Sequence, residues 1–440
     1  MIQTEPLITV GIFSAPEIRF CLEGDYCHEN EKIANGNIET VTAKNGQIFY
    51  NGAYYSEICF APVKKERTFF SLFDVTIGVQ FHWERSEKQS FKGELLFFPD
   101  GDRIWAINRI PVEDYLKSVI ASEMNGAAPT EFLKAHAVIS RNWLLAQLER
   151  RNNPTPPASQ NKQAGGEDKI IIKWYNRDDH TLFDVCADDH CQRYQGITRH
   201  ISPQVLAAIE DTRGTTLLYN GKICDTRFSK CCGGITEEYQ NCWQEEHHPY
   251  MPSIVDARPK QPVSSNVNYE KFILSSPDAF CKAPSGETLR QVLNDYDCET
   301  SNFYRWKVTY TQKEITELLY TKTGIDFEAI KNITPLKRGK SGRIIELKIE
   351  GASRSVIFGK ELEIRRILST SHLYSSAFVV ETDEKDESSI PGKFILHGAG
   401  WGHGVGLCQI GAAVMGHKGY SYREILQHYY PPAILEKIYE

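Results

Sequence analysis

Glu123 closes the stretch VEDYLKSVIASEM, residues 112–124, at a position where a carboxylate is unexpected. Counted from Val112, the apolar residues Tyr115, Leu116, Val119 and Ile120 fall at offsets 3, 4, 7 and 8, the spacing of one helix face. Glu123 is at offset 11. At about 100° per residue that offset returns almost to the starting azimuth, so the charge lies in line with the apolar stripe. Burying a lone ionised carboxylate is costly, so an inward-facing Glu favours its protonated form, the form a general acid needs. The competing reading is that Glu123 ends its helix paired to a base such as Lys134 or Arg141. Glu113 and Asp114 flank the first turn, where acids suit the helix dipole and need no functional explanation.

Two further stretches carry candidate chemistry. In DDHTLFDVCADDHCQRYQG the residues His180, Cys186, His190 and Cys191 bring two imidazoles and two thiols within twelve positions. Four nitrogen and sulfur donors suit tetrahedral zinc. The spacing is not that of a standard finger, and adjacent His190 and Cys191 are hard to aim at one ion, so free thiols or a disulfide (Cys186 with Cys191, or one that includes Cys231) stand beside the metal reading. Vicinal Cys231 and Cys232 rarely bond to each other; each packs or pairs at a distance. The turn HGAGWGHGVGLCQIGA has five glycines from Gly398 to Gly406, which free backbone amides to approach a ligand and let His403 and Gln409 project from a tight bend. It lacks the Lys of a phosphate loop and does not fit GxGxxG, so it argues little for a nucleotide. Alone, such a turn is more often structural than functional.

The elements that must position these residues can be read from the pattern. The first hundred residues alternate apolar and polar in short runs such as LITVGIF and KGELLFFPDGDRIWAI, which predicts a small β-rich unit over 1–104. From Pro111 the spacing is helical, and after NGAAP a second helix carries Phe132, Leu133, His136, Ile139, Ser140 and Trp143 on one face, with Pro129 placed for its first turn. The two helices are expected to form a hairpin around Glu123. Residues 105–259 read as the first part of a core, interrupted by a Pro, Gly, Asn and Gln-rich loop at 152–168. Residues 260–335 read as an α-rich insertion, with GETLRQVLND and TQKEITELLYTKTG at helical spacing. Residues 336–440 return to strands, then the Gly-rich turn and two helices. The expected class is α+β.

The bulk numbers exclude several functions. The chain has 440 residues, 41% of them hydrophobic, and a formal net charge of -7 with both signs mixed, which argues against a nucleic-acid groove or a polybasic membrane patch. It has no apolar run of membrane-spanning length, so no transmembrane segment is expected. The opening IQTEPLITVGIF shows no signal peptide. Of the twelve cysteines, Cys21, Cys27, Cys59, Cys281, Cys298 and Cys408 are scattered and read as buried small apolar residues.

Three segments together resemble the stage II sporulation protein D family, SpoIID, which includes the amidase enhancer LytB: RIPVEDYLKSVIASEM, EFLKAHAVISRNWLLAQ and GWGHGVGLCQIGAAVMGHKGYSYREILQHYYP. CCGGITEEYQNCW and SGRIIELKIEG are similar to further family segments. The resemblance implies a lytic transglycosylase that cleaves peptidoglycan glycan strands, with the acid at Glu123 as its catalytic residue. Such an enzyme needs one carboxyl group, which protonates the leaving oxygen and then accepts the proton of the substrate's own C6 hydroxyl, instead of the usual pair. The resemblance also implies a structural zinc ion on Cys186 and His190 first, His180 and Cys191 next, and an envelope or extracellular location. Arg141, His403 and Gln409 become substrate-binding candidates, and His136 is either a sugar-contacting residue or a hydrogen-bonded core histidine. The rival is a non-catalytic peptidoglycan-binding module that stimulates a cell-wall amidase. The family's Pro after EM is Asn125 here, its KAQAV is KAHAV and its RTY is RNW, departures that touch substrate detail and leave Glu123 intact.

Overall fold

The alternating runs of the first hundred residues do become strands. A computed structural model describes the chain except residues 1–3, 30, 34–35, 65–66, 78–84, 153–160, 165–168, 176–179, 189, 260–262, 265–266, 283–288, 290–301 and 384–389, and only the backbone of 152 and 161–164. The chain divides into two compact units: Met1–Glu149 with Arg177–Leu217 and Leu435–Glu440, and Arg150–Asn176 with Leu218–Ile434.

The first unit contains a seven-stranded and a six-stranded sheet. In the larger one Arg103–Pro111 lies between Leu7–Ala15 and Glu94–Asp100, antiparallel to both, with Ala106 opposite Phe13 and Phe97. The period-two pattern sends Val10, Phe97, Ile104 and Ala106 inward, all of them fully buried. Phe20, from the six-stranded sheet, meets Phe60 and Phe97 at ring separations of 5.2 Å, so aromatic packing joins the two sheets. The strand Arg103–Pro111 runs directly into helix α1 (Val112–Glu123). α1 lies against the helix Pro203–Asp211, not in a simple hairpin with α2 (Thr130–Asn152). Pro129 sits one residue before α2, where its carbonyl accepts the first helical hydrogen bond from Leu133 N at 3.0 Å. Both helices are buried well beyond one stripe, because strands and loops cover several of their faces.

In the second unit the strands Lys169–Lys173, Ser355–Gly359, Ile344–Gly351 and Ile330–Arg338 form a sheet whose edge is Asn161–Ala164. The 152–168 region, expected to be a loop, therefore contains a strand: the KIIIK run offers an open edge, and pairing to it needs only backbone groups. A second sheet joins Arg305–Thr311, Lys393–Ala399 and Phe378–Thr382. Leu347, Phe358, Ile364, Phe378 and Leu396 belong to the core of this unit. The expected α-rich insertion is mixed, since the strand Arg305–Thr311 precedes its capped helix Gln312–Thr323. GETLRQVLND and Cys298 fall almost wholly outside the described residues. The mixed α+β class stands.

Candidate active site and metal centre

Glu123 is the last residue of α1 and is 9% exposed. Its Oε1 accepts a hydrogen bond from the backbone N–H of Arg193 at 3.0 Å. The two bases that might have neutralised it are engaged elsewhere. Lys134 pairs with Glu131 at 3.1 Å and Asp211 at 3.0 Å, and Arg141 with Glu113. Asn125, where the family pattern has Pro, closes the turn after α1 through Oδ1, which accepts from Ala127 N at 2.9 Å.

Arg193 belongs to the loop that carries the predicted metal donors. One ligand atom from each of His180, Cys186, His190 and Cys191 lies within 4.8 Å of the others. Cys191 Sγ is 3.5 Å from His180 Nε2 and 3.6 Å from His190 Nδ1, and Cys186 Sγ is 3.9 Å from His190 Nδ1. A tetrahedral ion with Zn–S near 2.3 Å and Zn–N near 2.0–2.1 Å sets sulfur and nitrogen about 3.6 Å apart, so the donor set fits zinc. Adjacent His190 and Cys191, hard to aim at one ion by spacing, do bring their donor atoms together. Cys191 turns inward while His190 remains exposed, and their donor atoms meet from two sides. A hydrogen bond to the Cys191 sulfur, then burial and the charge of that sulfur, push the Cys186 thiol up to about 11. A divalent cation would offset that charge.

The same loop is fastened to α1 and α2. Gln195 N donates to Ser118 Oγ at 3.1 Å, Gln192 Nε2 to Ser140 O at 3.4 Å, and Tyr194 stacks on Tyr115 with ring centroids 5.0 Å apart. Pattern reading missed Arg193, because a backbone amide leaves no signature in residue type.

The other candidates fare differently. His136 is fully buried, with Nδ1 3.3 Å from Ser140 Oγ and its ring edge-on to Phe132, so it is a core histidine and presents no surface to a sugar. Arg141 is also fully buried and is corrected from a substrate contact to half of an internal ion pair: Nε and Nη2 donate to Glu113 at 2.9 and 2.7 Å. Glu113, read as a first-turn acid suited to the helix dipole, is also a buried hub that accepts from Tyr439 OH at 2.6 Å and Gly214 N at 3.2 Å. Burial alone would raise its pKa, but the Arg141 guanidinium and these donors hold it below the ordinary value.

His403 and Gln409 belong to the second unit. His403 is half-buried, edge-on to Trp243 at 4.8 Å, and its Nδ1 accepts from Val405 N; Gln409 is buried at the start of the helix Gln409–His417. Gly400, Gly402, Gly404 and Gly406 all have positive φ, but their lack of side chains serves internal packing. A Cβ at Gly404 would lie 2.4 Å from the buried Arg343 guanidinium, which donates to Gly402 O at 2.9 Å. The structural reading of this turn is the one its geometry supports.

Residues 100–219 match the family of stage II sporulation proteins, SpoIID, and residues 237–406 match a domain of unknown function, DUF8618. The named relatives support the same likeness to the SpoIID and amidase-enhancer family. It is 24% identical over 408 residues to an uncharacterized protein of Brachyspira hyodysenteriae, covering 92% of this chain and 84% of that one. It is 26% identical over 328 residues to the amidase enhancer of Bacillus subtilis, 73% of this chain but 40% of that protein. The stage II sporulation protein D of Bacillus amyloliquefaciens is 24% identical over 325 residues, 74% of each chain.

Proposed function

We propose that this protein acts on the cell wall as a lytic transglycosylase, cleaving the bond between N-acetylmuramic acid and N-acetylglucosamine. The observation that carries this reading is Glu123: a buried acid at a helix end, inside the SpoIID-matched region, with the neighbouring bases occupied elsewhere. Its protonated carboxyl gives a proton to the glycosidic oxygen as the bond to C1 breaks. The resulting carboxylate takes the proton of the C6 hydroxyl as that oxygen closes on C1, giving a 1,6-anhydro ring and restoring the acid. No second protein carboxylate and no water are consumed.

His180, Cys186, His190 and Cys191 would hold zinc, which when bound supplies a structural clamp on the loop. Arg193 N–H in that loop orients the Glu123 carboxylate. The substrate requires work at the envelope or outside the cell. Among the described residues no helix is long and apolar enough to cross a membrane.

A second reading is favoured by the relative named amidase enhancer: a glycan-binding module that stimulates a cell-wall amidase. The products separate the two. Glycan strands incubated with the protein alone yield 1,6-anhydro-muramyl ends under the first reading and remain intact under the second.

A further inference from the structure

The second unit brings together another donor set that spacing does not reveal. The sulfurs of Cys232, Cys281 and Cys408 and a carboxylate oxygen of Asp256 lie within 4.8 Å of one another, and all four residues are buried. Cys232 Sγ is 3.6 Å from Cys281 Sγ and 3.4 Å from Asp256 Oδ2. A tetrahedral zinc ion with sulfur at about 2.3 Å and oxygen at about 2.0–2.2 Å gives edges of about 3.8 and 3.6 Å, close to both separations.

Backbone amides point at two of these sulfurs. Cys232 N and Gly411 N donate to Cys408 Sγ at 3.2 and 3.4 Å, and Gly234 N donates to Cys232 Sγ at 3.4 Å. Cys408 also caps the N-terminus of the helix Gln409–His417, where a negative sulfur meets the positive end of the helix dipole. Asp256 is oriented from behind: Tyr429 OH donates to its Oδ1 at 2.8 Å and His428 Nε2 lies 3.3 Å from the same oxygen, while Oδ2 faces the sulfurs. Outer partners of this kind fix the ligand atoms of metal sites. Gly411 leaves the space open, since a Cβ there would lie 2.5 Å from Asp256 Oδ2.

We infer that Cys232, Cys281, Cys408 and Asp256 form a second, closed zinc site, distinct in residues from the His180, Cys186, His190 and Cys191 set. Its four protein donors leave no open position for water, so its role is structural. It ties the segment around Cys232, which pairs through Cys231 with Trp401 in the Gly-rich turn, to the helix that follows that turn. Zinc binding here releases the three thiol protons to solvent and changes no oxidation state.

The test is the zinc content and sulfur coordination of the full chain, purified under reducing conditions without chelator. Two zinc ions per chain are expected, falling to one in Cys281→Ala and to one in Cys191→Ala. Should Cys281→Ala fail to fold, zinc X-ray absorption on the wild type decides, because two occupied sites average about 2.5 sulfur ligands per zinc against about 2 for the first site alone. A wild-type content of one zinc, lost in Cys191→Ala and averaging two sulfurs, would overturn the inference. So would an intact mass showing a disulfide among Cys231, Cys232, Cys281 and Cys408.

Discussion

Replacing Arg141 by Met removes the guanidinium that answers Glu113 and keeps most of the side-chain volume. Glu113 accepts four hydrogen bonds, two of them from Arg141, and both side chains are at most 2% exposed. The variant leaves a buried carboxylate with only Tyr439 OH and Gly214 N, and breaking one side of such a pair costs about 3–5 kcal/mol. For a unit of this size each kcal/mol shifts Tm by about 2–4 °C, so a loss of roughly 6–20 °C is expected in the transition of the first unit by scanning calorimetry. Adding Glu113→Gln removes the stranded charge and should recover part of the loss. A shift of only about 2 °C in the single variant, or a further drop in the double, would refute the buried-pair account.

The pair also sets a pH dependence. Because the folded pKa of Glu113 lies below its ordinary 4.5, its contribution is fully present above that value and is lost as pH falls through the lower folded value. The stabilising effect of Arg141 in the wild type should therefore fade in acid, and the calorimetric gap between wild type and Arg141→Met should close below pH 4.5.

Three further predictions follow from other parts of the molecule. Asp225, buried between Arg227 and Arg150, has its pKa pulled down to about 2 by those charges against the upward push of burial. Its contribution is complete above its ordinary 3.8 and lost as pH falls toward about 2, so Asp225→Asn should remove an acid-unfolding step of the second unit in that window, seen by circular dichroism. Gly404→Ala combines a left-handed backbone with a clash against Arg343 and should cost about 2–5 kcal/mol, whereas Gly419→Ala, left-handed but open, should cost about 1–2 kcal/mol in the same melts. Cys191→Ala, by loosening the loop that carries Arg193, should forfeit a charged hydrogen bond of about 1.5–3 kcal/mol and slow glycan cleavage about ten- to hundredfold; unchanged turnover would detach the metal loop from Glu123.

How far the pattern could be read depends on the distance between the cooperating residues. The burial of Glu123 was legible because its helix spacing is local, and the proximity of the first four donors because they occupy one short segment. The strands of the first hundred residues were legible for a similar reason, since alternation is local. The ion pair of Glu113 was not legible, because position in a helix gives no sign of Arg141 in the next one, or of Tyr439 at the other end of the chain. His136 and Arg141 share the inward face that suggested ligand contact, but packing on several sides of α2 turns that face into core. The scattered Cys281 and Cys408 looked like filler, and only the folded second unit brings them to Cys232, with Cys408 176 residues further along the chain.

The central claim is that Glu123 breaks glycan strands without water. Mass spectrometry of purified glycan strands, with and without stem peptides, after incubation with the wild type and Glu123→Gln tests it most directly. Gln at this position still accepts the Arg193 amide, so fold and glycan binding should persist while cleavage falls by about 10²–10⁴. The wild type should leave 1,6-anhydro-muramyl ends and the variant none above background. Anhydro ends of equal abundance from both proteins, or intact strands after treatment with folded, zinc-loaded wild type, would contradict that claim.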